Sequence, residues 1–476
     1  MTLDPHHSPY DLLVLGGGTA GLVGARTAAA LGARVLLVER ARTGGDCLWS
    51  GCVPSKSLLA AAHAAAAARG AARVGIHVDG VRVDFAAVMA HVRGAIRTIE
   101  PADSPPRLRD AGVEVHTGVV VLTGPTSALV DGQPVAFRQA LVATGAEPAV
   151  PAVPGLRESG PLTSESVWDL TELPHRLVVL GGGSIGSELA QGFARLGSAV
   201  TLVEAGSRLL SREDPRASAV IERALRADGV DVRTGAGVTS VRDGVLRLAD
   251  GSDVVADRVL VAAGRRPRTD GLGLAAAGVD LDDRGHVVVD GACRTSQPGI
   301  WAAGDVTGPP QFTHTAAVHA SAAASNAVLG LRRQVDTTAA PRVTFTHPEV
   351  GAVGAASGHR ELHWDHAELD RAVAEGETDG FTSLVLDRRG RVIGGTVVGP
   401  RAGETLGELS LAVAQGLTAR ALAGTTHAYP TWDDGLWNAA VADVRATLAG
   451  GLARRVTGAA VGLRRRRWDR SHRPDR

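Results

Sequence analysis

Cysteine is scarce in this chain. Its 476 residues hold only Cys47, Cys52 and Cys293. That excludes a secreted scaffold stapled by disulfides, and a close pair in a thiol-poor chain points to redox work in a reducing compartment. Net charge is lacking too: fifty Lys and Arg offset fifty Asp and Glu. Such a balance gives no bulk attraction for nucleic acid or anionic lipid. Long apolar runs are missing. The blandest stretch, Ser57 to Ala72, is broken by His63 and Arg69 and is too short and too polar to cross a bilayer. The opening MTLDPHHSPY has neither a basic nor an apolar region, so it does not read as a signal peptide. The expectation is a cytoplasmic protein with no membrane and no nucleic acid among its partners. Aromatic residues are few, at 3%, and no function follows from that.

What is present is length and an internal repeat. The chain is long enough for about three domains with buried cores. The segment DLLVLGGGTAGLVGARTAAALGARVLLVE runs from Asp11 to Glu39, and RLVVLGGGSIGSELAQGFARLGSAVTLVE from Arg176 to Glu204. Each is an apolar strand, a glycine turn, a helix of small residues and a second apolar strand ending in an acid. Gly16 precedes Glu39 by 23 residues, and Gly181 precedes Glu204 by the same 23. One GxGxxG is weak evidence; two copies in this context are strong. Gly16, Gly18 and Gly21, like Gly181, Gly183 and Gly186, allow a tight turn, close approach to a pyrophosphate and close helix–strand packing. The helix N-terminus favours the phosphate anion. Glu39 and Glu204 are placed to accept hydrogen bonds from adenosine ribose hydroxyls. Glu204 also repels a 2′-phosphate, which favours NADH over NADPH, although Arg208 stands four residues on and could rescue a phosphate.

Cys47 and Cys52 lie in GGDCLWSGCVPSK. In an ideal helix, positions i and i+5 are about 8.6 Å apart at Cα, whereas a disulfide needs about 4.4–6.8 Å. If the two thiols bond, the helix start must be deformed, and a deformed disulfide is easier to reduce. Two buried thiols that never meet are the alternative. Zinc is a poor use of the pair, because no second pair completes four ligands. The strands ALVATGAEP and VLVAAGRRP close the two dinucleotide units, and TSQPGIWAAGD ends in Gly304 and Asp305. From about Thr337 the pattern changes to an antiparallel sheet flanked by helices. Residues 453–476 hold nine arginines and no cysteine, and are expected to be a solvated, mobile tail.

In this order, the motifs resemble the flavin-dependent pyridine nucleotide-disulfide oxidoreductases. That family includes dihydrolipoamide dehydrogenase, glutathione reductase and mercuric reductase, and the chain looks closest to mercuric-reductase-like members. The resemblance implies an α/β fold with two Rossmann-like dinucleotide-binding domains, for FAD and NAD(P), plus a C-terminal α+β dimerisation domain. The expected bounds are 1–155 with 280–336 for FAD, 156–279 for NAD(P), 337–452 for dimerisation and 453–476 for the tail.

By the same resemblance, Gly16, Gly18, Gly21 and Glu39 hold the adenine half of FAD, and Asp305 holds the ribityl chain. Gly45, Lys56, Thr144, Gly145 and Gly304 also line the FAD site. Gly181, Gly183, Gly186, Glu204 and Gly264 serve NADH or NADPH. Cys52 is the charge-transfer thiol, Cys47 the interchange thiol, and Lys56 pairs with Glu188 beside the flavin. The implied enzyme is a homodimer with a shared active site. It passes electrons from a nicotinamide through FAD and the cysteine pair to a small acceptor: a disulfide, a metal ion such as Hg(II), or a quinone. A quinone reductase or diaphorase with an idle disulfide, and a non-catalytic redox sensor, are the alternatives.

The pattern breaks at Tyr429, Pro430, Thr431, Trp432, Asp433, Asp434. Disulfide reductases of the family place a histidine where Tyr429 stands and a glutamate where Asp434 stands. Histidine titrates near pH ~6.5 and tyrosine near ~10, so Tyr429 is a poor general base at neutral pH. Mercuric reductases, by resemblance, also carry a tyrosine here. His427 is more simply a packed or solvated side chain than a substitute base.

Overall fold

The computed structural model describes residues 8–471. The chain forms two compact units, 1–337 and 338–476. The first opens with β1 (Tyr10–Leu15), α1 (Thr19–Ala30), β2 (Val35–Glu39), α2 (Gly45–Trp49), α3 (Cys52–Gly70), α4 (Phe85–Asp103) and α5 (Pro105–Asp110). Then come β3 (Val113–Thr117), β4 (Val120–Gly124), β5 (Ser127–Val130), β6 (Gln133–Val142) and β7 (Ala146–Pro148). Strands β1, β2, β3 and β6 run parallel, and β17 (Ile300–Ala302) adds to β6 from far along the chain. A hairpin pair, β4 and β5, continues the sheet antiparallel to β6.

Both faces of this sheet are buried, which is why its strands are unbroken apolar runs. Leu13 and Leu15 enter a core with Phe137 and Val142 on one face. Leu12 and Val14 enter another with Leu22 and Ala25 of α1 and with Ala320 and Ala323 of α8 (Thr313–Leu329). Each buried leucine contributes roughly 1.5–3 kcal/mol. Small residues on α1 and α8 let the helices lie close to the strands.

The second copy of the repeat builds β8 (Leu162–Thr163), β9 (Arg176–Leu180), α6 (Ser184–Leu196), β10 (Ala199–Glu204), α7 (Pro215–Ala227), β11 (Asp231–Thr234) and β15 (Arg258–Val261). Its parallel sheet has the order β11-β10-β9-β15-β8. A meander of β12 (Val238–Arg242), β13 (Val245–Leu248) and β14 (Asp253–Val255) lies between β11 and β15 in sequence. β16 (Arg265–Pro267) pairs with β7.

The C-terminal unit has the antiparallel order β18 (Arg342–Thr344), β19 (Glu349–Gly354), β22 (Val392–Gly399), β21 (Phe381–Leu386), β20 (Arg360–Asp365). Its helices are α9 (Asp370–Glu375), α10 (Ala402–Gln415), α11 (Ala419–Ala423), α12 (Asp434–Ala449) and α13 (Gly451–Ser471). Leu406 and Leu409 of α10 and Leu436 of α12 pack on Leu384, Leu386 and Val397 of the sheet. One expectation fails here. The arginine-rich stretch expected as a mobile tail is the helix α13, with Val456, Leu463 and Trp468 exposed. Arginine, alanine and leucine are strong helix formers, so the segment is helical while remaining solvated. Residues 472–476 of that expectation lie outside the described residues. Among the described residues, no helix is long and apolar enough to cross a membrane.

Candidate functional site

The two glycine loops are near copies in three dimensions. Helix α1 starts on Gly18 and α6 on Gly183, and neither has a side-chain cap. Their first amides are thus left for an incoming anion. Gly16 and Gly181 have φ of 102° and 106°, in the left-handed region. A Cβ on Gly21 would stand 1.9 Å from the Gly16 carbonyl oxygen, and one on Gly186 1.8 Å from that of Gly181. The closing acids are also twinned. Glu39 accepts from the amides of Gly17 (2.6 Å) and Ala41 (2.8 Å). Glu204 accepts from Gly182 (2.6 Å) and Gly206 (2.6 Å). Each carboxylate therefore ties its loop together, a task that motif reading did not foresee, and each oxygen keeps a lone pair for a ribose hydroxyl. Arg208 is spent elsewhere: it donates to the Leu210, Ser211 and Glu213 carbonyls and to Ser218 Oγ.

The cysteine segment is broken, not merely bent. Helix α2 ends at Trp49, and α3 starts at Cys52. Between them Gly51 takes φ −112°, ψ −108°. A Cβ on Gly51 would come within 2.8 Å of the Asp46 carbonyl oxygen and 3.4 Å of Cys47 Cα. The bare glycine is what lets the two cysteine-bearing turns approach. Trp168 Nε1 donates to the Ser50 carbonyl at 2.8 Å and holds the break in place.

Both cysteines are free thiols here. They interact directly, and the interaction splits their acidities. The hydrogen bond from Cys47, then Thr313 and the Lys56 charge, pull the Cys52 thiol down to about 6 against burial. The Cys47 thiol is pushed up, first by that same bond and then by burial. The pair therefore favours a Cys52 thiolate that accepts a hydrogen bond from the Cys47 thiol. Thr313 was not foreseen. Its Oγ1 is 3.4 Å from Cys52 Sγ, and it is the first residue of α8, whose N-terminal end favours negative charge.

Lys56 sits one helical turn after Cys52 on α3 and meets Glu188 of α6, Nζ to Oε2 2.8 Å. The Glu188 side chain is only 7% exposed. These two expected partners are thus together.

Asp305 follows β17. Burial raises its carboxyl above the usual range, while Arg265, at 3.4 Å, opposes that shift. The Arg265 Nε that faces Asp305 is buried and makes no hydrogen bond among the described residues. Arg265 also pairs with Asp46, as does Arg268 at 3.3 Å. Asp46 adjoins Cys47, so these arginines anchor the cysteine helix to the β7–β16 ribbon. Gly45 has φ 59° and faces Gly18. Thr144 Oγ1 donates to the Arg268 carbonyl at 2.7 Å. Gly145 (φ 70°), Gly183 and Gly264 (φ 143°) face open space. Gly304 has φ 81° and would crowd Ala20 if it bore a Cβ. Uncapped helix starts, open glycines, a half-buried acid and its arginine partner fit FAD in the first loop and a nicotinamide dinucleotide in the second.

In the C-terminal unit, Tyr429 is 72% exposed. Its hydroxyl donates to Asp370, and that bond raises the phenol above its ordinary value. Asp434 is buried and accepts from the Thr431 amide at 2.8 Å. The expected counterparts of the histidine–glutamate pair are therefore not joined to each other. Asp434 serves its own turn instead. The His427 side chain is 7% exposed and bonded to Glu408 at 3.0 Å, so it is packed. Cys293 is buried, with its thiol pushed up to about 12 by desolvation.

Comparison with known proteins agrees with this geometry. Residues 10–320 match the pyridine nucleotide-disulphide oxidoreductase family, and residues 340–440 match its dimerisation domain. The chain belongs to this family. It is an FAD-dependent oxidoreductase that uses NAD(P)H and carries a redox cysteine pair and a dimerisation domain. A mercuric reductase of Streptomyces lividans is 39% identical over 452 residues, covering 90% of this chain and 95% of the relative. A dihydrolipoyl dehydrogenase of Chlamydia muridarum is 35% identical over 439 residues, 89% of this chain and 94% of the relative. Among solved structures, LpdA of Mycobacterium tuberculosis superimposes with a TM-score of 0.82 at 29% identity, over 90% of this chain and 98% of that one.

Proposed function

We propose that the enzyme carries electrons from NADH to a small acceptor that needs no proton from the protein, a soft metal ion being the leading class. The single observation behind this is Tyr429. Its hydroxyl is bound to Asp370 and its acidity is weakened further, so it is a poor shuttle for the proton that a departing alkyl thiolate needs. The name of the Streptomyces relative points the same way. NADH is the preferred coenzyme, because Glu204 opposes a 2′-phosphate and Arg208 is engaged in its own loop.

When bound, the flavin would supply hydride-accepting and two-electron chemistry between the nicotinamide and the sulfur pair. Two electrons and one proton convert a Cys47–Cys52 disulfide into the Cys47 thiol and the Cys52 thiolate. Lys56, held by Glu188, and Thr313 stabilise the charge on Cys52. Return to the disulfide delivers two electrons to the acceptor and releases the Cys47 proton. Asp305 is assigned to the ribityl chain, and Gly16, Gly18, Gly21 and Glu39 to the adenine half. Gly181, Gly183, Gly186 and Glu204 are assigned to the nicotinamide nucleotide. The domain bounds given above are kept, and the homodimer is taken to complete each site with the partner subunit. The thrift in cysteine supports a cytoplasmic location.

The test is a panel of Hg(II), Cu(II), lipoamide, glutathione disulfide and benzoquinone under steady-state NADH. Turnover with a metal ion should exceed that with either disulfide, and Tyr429→His should raise the disulfide rates. Lipoamide as the fastest acceptor would overturn the assignment. Full quinone turnover by Cys47→Ser would instead favour a diaphorase with an idle pair.

A further inference from the structure

We propose that Glu408, His427 and Asp433 form a divalent-cation site in the C-terminal unit, suited to a borderline ion such as Zn(II) or Mn(II). Each offers one ligand atom, and the three atoms lie within 4.8 Å of one another. His427 Nε2 stands 3.0 and 3.1 Å from the two Glu408 oxygens. Bonds of about 2.0–2.2 Å to one ion place neighbouring ligand atoms about 3.0–3.5 Å apart. The His427–Glu408 edge already has that length, and Asp433 would close from within 4.8 Å.

The orientation of the imidazole is independent support. His427 Nδ1 lies 3.0 Å from the Thr425 carbonyl oxygen, an atom that can only accept. Nδ1 therefore carries a hydrogen and Nε2 faces the carboxylate; without an ion Nε2 donates to Glu408, and a bound cation would take the place of that proton. Metal-bound histidines are held by this same arrangement of the second nitrogen. Asp433 gives the second sign: its Oδ1 is sealed from solvent and meets no hydrogen-bond donor among the described residues. A buried oxygen left this way is costly, and a cation would satisfy it. A cavity of about 290 Å³, lined by Glu408, Asp433, Thr405 and Thr431 among others, leads to the cluster. Arg371 and Arg401 also line it, and Arg371 is already paired with Glu375. Two carboxylates neutralise a divalent ion, and a set of one nitrogen and two acids suits Mn(II) or Zn(II) rather than a soft ion. Bound there, the ion links α10 to the residue before α12 and fixes the segment that carries Tyr429. The site does not depend on which acceptor the enzyme uses.

Equilibrium dialysis with metal analysis tests this on the full-length flavoenzyme, with Mn(II) as first probe. Zn(II) follows in a Cys47→Ser/Cys52→Ser background, which removes thiol ligands. The expected result is one equivalent per chain and a rise in Tm with added Mn(II). Asp433→Asn and Glu408→Gln should each weaken binding by about tenfold or more and abolish the Tm rise. Absence of binding to the unaltered protein at millimolar Mn(II) and Zn(II), or equal binding by the Asp433→Asn protein, would overturn the proposal. The unaltered protein decides the matter even if a variant fails to fold.

Discussion

Lys56 Nζ lies 2.8 Å from Glu188 Oε2, and the pair joins the cysteine helix α3 to α6 of the second dinucleotide unit. The contact serves chemistry and stability at once. The lysine charge favours the Cys52 thiolate, and the same charge compensates a carboxylate that is 7% exposed.

Lys56→Met should therefore act on both. The apparent pKa of Cys52 should rise, read from the pH dependence of iodoacetamide alkylation. Stability should fall by about 2–3 kcal/mol in urea unfolding, below the about 3–5 kcal/mol of fully buried pairs, because Lys56 is itself 38% exposed. An unchanged alkylation profile would show that the lysine does not act on the sulfur.

Thr313→Val should also raise the Cys52 pKa. Hydrogen bonds to charged groups are worth about 1.5–3 kcal/mol, and this contact is long at 3.4 Å. A shift of about one pKa unit is expected, with Thr313→Ser restoring the original value. Equal profiles for valine and serine would assign the whole effect to the end of α8.

Gly51→Ala tests the break between α2 and α3. The added carbon would meet the Asp46 carbonyl oxygen at 2.8 Å. A loss of about 1–3 kcal/mol is expected for strain of this kind, together with slower closure of the Cys47–Cys52 disulfide in a glutathione redox buffer. Closure at the normal rate would show that the two turns meet without help from the glycine.

His366 sets a pH dependence. It is 1% exposed, and burial lowers its pKa from 6.5 to about 4. The folded protein holds the ring neutral, so this stabilisation is complete above pH ~6.5 and is lost as pH falls from ~6.5 toward ~4. Unfolding free energy should drop by about 2–3 kcal/mol across that window. His366→Gln, though less stable at neutral pH, should show a flatter profile in denaturant titrations from pH 4 to 7.

Both nucleotide loops were legible in the sequence, because each follows from a fixed offset inside a strand–turn–helix unit, whereas the Lys56–Glu188 pair was expected only from resemblance to the family. The cysteine pair was legible as a pair, and the need for a deformed helix start followed from helix geometry alone. The means of deformation did not, since a glycine among many carries no mark until its neighbours are placed. Thr313 is 261 residues from Cys52, and Asp370 is 59 from Tyr429; no periodicity links positions so distant. Tyr429 and Asp434 were read as counterparts of a histidine and a glutamate, and the partners they take, Asp370 and the Thr431 amide, carry no mark in the sequence; the reading of the last segment failed because charge was weighed above helix propensity.

The twin staples that bind Glu39 to Gly17 and Glu204 to Gly182 carry a lesson for anyone retooling the coenzyme preference. An exchange of Glu204 meant to admit a phosphorylated ribose would also release the amides of Gly182 and Gly206. On the proposed assignment, the phosphate cradle and the selector of the ribose are one mechanical part, so a switch of coenzyme would require a new loop and not a new side chain.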